Sequence, residues 1–255
     1  MPKIQPLFSG SSGNAILVEG RGSALLVDAG VSGKRIVTAL EENRKAPSMI
    51  DGILITHEHI DHIQSAGILS RRYHIPIYAN AATWEAMLPT VGEIAPSLCR
   101  TLEPGEEIVF GDIAVSAFPI PHDAASPVGY NFFTENKKLT VATDIGKMSD
   151  KIFMRLSGSE QILLESNYDI VMLKKGSYPY PLKQRILSDR GHLSNKEAAA
   201  VCARLASLGT KHIILGHLSK ENNTPSLAYD ICRLHIENCG LRVGEDIRLS
   251  VAPRA

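Results

Sequence analysis

No excess of charge marks this chain: Lys+Arg 27 stand against Asp+Glu 27 over 255 residues. The balance excludes a global electrostatic footprint for nucleic acid or an anionic membrane, and leaves room for a local basic patch. Cysteine is sparse. Cys99, Cys202, Cys232 and Cys239 form no CxxC pair, so nothing points to a disulfide framework, and Cys202 falls where a small core residue of a helix belongs. No Pro/Gly/Ser-rich linker divides the chain. Its 14 Pro and 20 Gly are scattered between short apolar runs, and at 44% hydrophobic residues it suits one soluble domain over 1–255. The opening "MPKIQPLFSGSSGNAILVEG" has no long apolar segment, and so matches neither a secretory signal nor a membrane anchor. A cytoplasmic protein without a membrane partner is the expectation.

What is present is a succession of short β-rich runs. They lie at 14–19, 23–28, 52–56, 76–79, 106–110, 113–120, 139–144, 162–166, 212–216 and 247–251. Helical patterns are expected at 33–44, 62–73, 81–88 and 225–238. The clearest is 194–209, where Ser194 and Glu197 make a capping box, Ala198, Val201, Cys202, Leu205 and Leu208 one face, and Gly209 the stop. Hairpin-like strands come first and a mixture of strands and helices follows. That order argues for two sheets with helices outside rather than a doubly wound parallel sheet.

"THEHIDHI" at Thr56–Ile63 puts three histidines and an aspartate directly after a β-run. Imidazole and carboxylate at such density suit Zn, Mn or Fe, because borderline divalent ions take nitrogen and oxygen ligands together. Read alone, the stretch could still be a polar surface loop. Further on, "GHLS" occurs twice, carrying His192 and His217, while His74, His212 and His235 fall in no motif.

His57, His59, Asp61 and His62 fit H-x-H-x-D-H, and in this the sequence resembles the metallo-β-lactamase fold family. The resemblance implies an α/β, four-layer αββα sandwich of two mixed β-sheets with helices outside. It also implies ligands at later strand ends, matched by His122, Asp144 and His217, and a supporting carboxylate, matched by Asp28. On this pattern His57, His59 and His122 hold one divalent ion, Asp61, His62 and His217 a second, and Asp144 bridges them. Zn or Mn is expected, with Fe possible. The shared water, its pKa lowered toward ~7, would be the nucleophile, with Asp61 counted among the catalytic residues. A bridging Asp144 disfavours a β-lactamase proper.

The resemblance extends to tRNase Z-type phosphodiesterases, in which a glutamate after a strand pairs with a histidine ahead of the next helix to protonate the leaving oxygen. Glu165 and His192 match that pair. With "LFSGSSGNA", "ESNYD", "YPLKQRI" and "GHLSN", the chain is identified as a member of the YycJ/WalJ group. Membership implies a phosphodiesterase, in particular a DNA exonuclease working from the 5′ end, with DNA favoured over RNA. The 174–190 stretch adds Lys174, Lys175, Lys183, Arg185 and Arg190 against Asp189, with Tyr178 and Tyr180 available to stack on bases. Ser11, Ser12, Asn14 and Asn167 join Lys183 and Arg185 as candidate substrate contacts. A small-molecule phosphodiesterase, a glyoxalase II-like thioesterase, a redox di-iron protein and a silent nucleic-acid-binding module stay open as alternatives.

Overall fold

The structure, a computed structural model, describes residues 2–255 and divides them into two compact units. The first takes the chain up to Pro119, then Ala124–Asn136 and Pro253–Ala255. The second takes Ile120–Asp123 and Lys137–Ala252.

In the first unit a six-stranded sheet runs in sequence order: β1 (Lys3–Phe8), β2 (Ala15–Glu19), β3 (Ala24–Val27), β4 (Gly52–Leu54), β5 (Ile77–Ala79) and β6 (Cys99–Thr101). The pairs β1–β2 and β2–β3 are antiparallel, and those from β3 to β6 are parallel. Helices α1 (Gly33–Glu42), α3 (Ala66–Tyr73) and α4 (Ala81–Val91) cross between the parallel strands. Ile36, Leu40, Leu69, Trp84 and Met87 from them meet Leu17, Leu26, Ile53 and Ile77 of the sheet in one buried cluster. Each such side chain contributes about 1.5–3 kcal/mol by leaving water. The unit also holds an antiparallel meander, β7 (Glu107–Phe110), β8 (Ile113–Pro119) and β9 (Val128–Phe133).

The second unit is built on four parallel strands in sequence order, β10 (Lys138–Ala142), β11 (Gln161–Glu165), β12 (His212–Gly216) and β13 (Arg248–Val251). Parallel neighbours need crossovers. Helix α5 (Asp150–Leu156) supplies the first, α6 (Ile170–Lys175), α7 (Tyr180–Ile186) and α8 (Asn195–Ser207) the second, and α9 (Pro225–Glu237) the third. The capping box of α8 is formed as expected, and Cys202 lies buried in it beside Cys232 of α9, both as free thiols.

Two departures from the sequence reading have a local cause. The helix read over 62–73 is two pieces, α2 (Ile60–Ile63) and α3, because Ser65 turns its N–H to Ala29 O at 2.8 Å and its hydroxyl to Val31 O at 2.6 Å. Strand β1 carries Pro6 and went unread; proline fits there because β1 is an edge strand, with an irregular register between Pro6 and Phe8. Among the described residues no helix is long and apolar enough to cross a membrane.

Candidate active site

In the first unit the chain leaves β4 at Leu54 and reaches His57, His59, Asp61 and His62 within one loop and the short α2. Backbone hydrogen bonds sew this stretch to two other loops: Asn14 N donates to Asp61 O at 2.9 Å, Ala29 N to His62 O at 2.7 Å, and Gly30 N to Asn14 O at 2.7 Å. Only glycine fits at position 30, since a Cβ there would lie 1.6 Å from Asp61 O. The loops hold the imidazoles together: His57 Nε2 is 3.1 Å from His59 Nδ1, and the His57 and His62 ring centroids are 4.1 Å apart. His62 donates its Nδ1–H to Asp28 Oδ2 at 2.7 Å, which leaves the Nε2 lone pair facing Asp61 Oδ2 at 3.4 Å. Burial pushes the Asp28 carboxyl up, while His62 and Thr56 stabilise its charge. Thr56, whose hydroxyl donates to Asp28 and lies 3.0 Å from His57 Nδ1, was not foreseen; its place just ahead of the motif was the signal available.

In the second unit, register does the work of assembly. Ala142 pairs with Leu164, and Glu165 with Gly216, so the carboxyl ends of β10, β11 and β12 deliver Asp144, Glu165 and His217 to one edge. Ligand sites of parallel sheets lie at such ends. Asp144 at φ 60 and His217 at φ 53 adopt left-handed backbone, as Asp28 does at φ 61 beyond β3. For a residue other than glycine that conformation costs on the order of 1–3 kcal/mol, which a fold retains where it aims a side chain. Asp144 Oδ1 is 3.2 Å from His217 Nε2 and 3.7 Å from His122 Nε2, and His122 donates its Nδ1–H to Gly191 O at 3.0 Å.

Glu165, fully buried, accepts three hydrogen bonds: His192 Nδ1–H at 2.7 Å, Ile145 N–H at 2.8 Å and Leu193 N–H at 3.2 Å. Burial opposes charge on His192. The Glu165 carboxylate, with Asp144 and Asp123 behind it, outweighs that and carries the imidazole up to about 9. One ligand atom from each of Asp144, Glu165, His192 and His217 lies within 4.8 Å of the others. The donor chemistry fits a divalent ion of borderline type in both units. The lone pairs of His62 and His122 are fixed toward carboxylate oxygens by acceptors on the opposite ring nitrogens, an arrangement that a cation stabilises.

A beta-lactamase superfamily domain matches residues 24–218. The exodeoxyribonuclease WalJ of Streptococcus pneumoniae is 43% identical over 249 residues, 97% of this chain and 93% of that protein. Bacillus anthracis exodeoxyribonuclease YycJ is 42% identical over 239 residues, 94% and 90% of the two chains. The chain belongs to the beta-lactamase superfamily, in its WalJ/YycJ group. Among solved structures, the metallo-β-lactamase fold protein YhfI of Bacillus subtilis aligns with a TM-score of 0.76 at 14% identity, over 100% of this chain and 98% of that one. The fold is therefore the α/β one expected, two mixed sheets with helices outside.

For this WalJ/YycJ-group chain the candidate substrate contacts divide. Ser11 and Ser12 are exposed. Asn14, expected at the substrate, is fully buried, bonding Asp61 O and lying 3.2 Å from His62 Nε2. Asn167 is likewise buried and donates to His217 O at 2.8 Å. Lys183 donates to Lys174 O at 2.9 Å and Gly176 O at 2.7 Å, closing the end of α6, and Arg185 pairs with Asp123. Tyr178 packs on the small cluster of Tyr168, Leu173 and Ile186, whereas Tyr180 is 73% exposed. Asn14, Asn167, Lys183 and Arg185 all meet partners far along the chain or beyond a turn, which local sequence does not reveal.

Proposed function

We propose that this chain is a divalent-metal-dependent exodeoxyribonuclease that hydrolyses phosphodiester bonds with a Glu165–His192 pair as proton donor. The observation that carries the reading is the 2.7 Å bond from His192 Nδ1 to a carboxylate already held by two backbone N–H groups. Support for DNA as substrate comes from the names of relatives 43% and 42% identical over nearly the whole chain. Two ions are proposed, one on His57, His59 and His122, the other on Asp61, His62 and His217, with Asp144 serving both. Bound there, divalent ions supply a water acidic enough to give a nucleophile near neutral pH, and charge to offset that of the phosphate.

The residues of the chain do the rest. Glu165 fixes the ring of His192 and stabilises its charge, so the Nε2–H is the proton to be given. A departing sugar alkoxide gains about 10²–10⁴-fold from such a donor. A thiolate would gain little, which sets the thioesterase alternative aside. Asp28 orients His62, and Asn167 holds the backbone of His217. Ser11, Ser12, Lys174, Lys175 and Tyr180 are exposed and are proposed to meet the polynucleotide.

The test is to incubate the Mn- or Zn-loaded chain with end-labelled single- and double-stranded DNA and RNA, and to follow product lengths. Progressive shortening from the 5′ end of DNA is expected. Internal cuts, or release from RNA alone, would replace the reading with an endonuclease or ribonuclease. The absence of cleavage on any of them would end it.

A further inference from the structure

His122 has an unusual neighbour for an imidazole whose other nitrogen is pinned. Its Nδ1–H is donated to Gly191 O at 3.0 Å, so in the neutral ring Nε2 carries the lone pair. Two carboxylate oxygens face that lone pair: Asp123 Oδ1 at 3.2 Å and Asp144 Oδ1 at 3.7 Å. Three electron-rich atoms grouped this way repel one another; His192, its Nδ1 bonded to Glu165 and 3.8 Å from Asp144 Oδ1, offsets part of that repulsion, and a cation held among the three would offset the rest.

Asp123 does not swing out to water. Arg185 Nε forms a close ion pair with its Oδ2, leaving Oδ1 turned to His122. Arg190 Nε donates to His122 O at 3.0 Å and braces the same turn. The loop that brings both arginines is itself tightly placed. A Cβ on Gly191 would lie 2.2 Å from Ile186 O and 2.4 Å from Arg185 O, and one on Gly146 would lie 2.4 Å from Asp189 O.

We propose that Asp123 is a further oxygen donor to the ion that His122 holds, and that Arg185 is the residue that positions it. The proposal rests on the metal-dependent reading above. It gives Arg185 a task in retaining metal rather than in gripping polynucleotide. It also bears on which ion is taken: carboxylate oxygens suit Mn²⁺ whereas imidazole suits Zn²⁺, so a second carboxylate at this position shifts preference toward Mn²⁺. The competing account is that His122 is doubly protonated and Asp123 is merely its counter-ion.

The experiment uses the full chain without substrate. Mn²⁺ and Zn²⁺ affinities are measured by chelator competition, with metal content and Mn²⁺ electron paramagnetic resonance as readouts, for wild type, Asp123→Ala, Asp123→Glu, Arg185→Ala and Arg185→Lys. Thermal unfolding of each metal-free form identifies any variant that fails to fold, and the Arg185 pair then carries the test. Asp123→Ala is expected to weaken Mn²⁺ at one ion by about 10–100-fold and Zn²⁺ by less, the size typical of groups that support a metal site. Asp123→Glu should recover much of that. Arg185→Ala should show a smaller loss in the same direction, and Arg185→Lys should restore part of it. Unchanged Mn²⁺ affinity and unchanged Mn²⁺/Zn²⁺ preference in a folded Asp123→Ala or Arg185→Ala variant would overturn the proposal while leaving the nuclease reading intact. A wild-type chain that takes up no divalent ion would overturn both.

Discussion

Two carboxylate–histidine pairs, one in each unit, have the same bond and different surroundings. Asp28–His62 and Glu165–His192 both join a carboxylate oxygen to Nδ1 at 2.7 Å, and both carboxylates are buried. Around the first pair His62 is shut in at 0% exposure, its Nε2 against Asp61 and Asn14. Around the second, His192 is 17% exposed. A closed imidazole with its lone pair toward a second carboxylate suits a metal ligand. An open one with a charged partner behind it can hand a proton to something that arrives from solvent. The pair itself does not decide its use; access to the far nitrogen does.

Removing a proposed ligand should give the largest effect. Asp144→Ala and His217→Ala are expected to lose bound metal and, with it, cleavage of oligonucleotide and nitrophenyl diester alike, checked by metal analysis beside both assays. Full activity with a single ion would break the proposed division of ligands.

Next in size is the comparison's own test. His192→Ala should keep its metal and lose about 10²–10⁴-fold on oligonucleotide but much less on a nitrophenyl diester, whose phenolate leaves without protonation. Glu165→Gln should follow the same selectivity with a smaller loss. Equal damage to both substrates, or loss of metal from His192→Ala, would show that the two pairs do one job.

Asp28→Asn probes the other pair. Metal affinity is expected to fall about 10–100-fold, with no dependence on the leaving group once excess metal is supplied. A leaving-group dependence in this variant would blur the distinction.

The smallest expected effect comes from His212, at the opposite end of β12 from His217. It contacts Gln161 Nε2 at 3.2 Å and Ser250 Oγ at 2.8 Å, and burial, followed by Arg248, lowers its pKa to about 4. The unfolded chain therefore binds this proton more readily than the folded one. The stability His212 contributes is present above about pH 6.5 and is lost as pH falls from there toward 4. His212→Gln should flatten that slope in metal-free unfolding measurements. An unchanged slope would mean that the folded chain tolerates charge at His212 as readily as at His192.

The parallel core and its helices were legible because a continuous apolar run, as at β10 to β12, and an apolar period of 3.6, as at α8, are local signals. Strand β9, "VGYNFF", and the short α5 to α7 were not. Glycine and asparagine blur the first, and a helix of 6 or 7 residues has too few turns for a period. Thr56 and Asp123 escaped for a related reason: each adjoins a predicted ligand, and nothing in a one-residue step says which way its side chain turns.

By itself the sequence determined which atoms are available for chemistry and their order: H-x-H-x-D-H in one loop, with carboxylate or imidazole at the ends of successive strands. That much is local, since the strand end and the motif's spacing lie in contiguous residues. Only the tertiary structure decided what the polar residues around them are for. Asn14 and Asn167 became braces for Asp61 and His217, Lys183 the stop of α6, and Arg185 the partner of Asp123. For Asn14 and Asn167, both buried, an unsatisfied group would cost more than a hydrogen bond returns, whereas Lys183 and the exposed Arg185 take the carbonyls and the carboxylate that the fold brings beside them. Such partners arrive by the folding of distant segments, so sequence spacing carries no record of them.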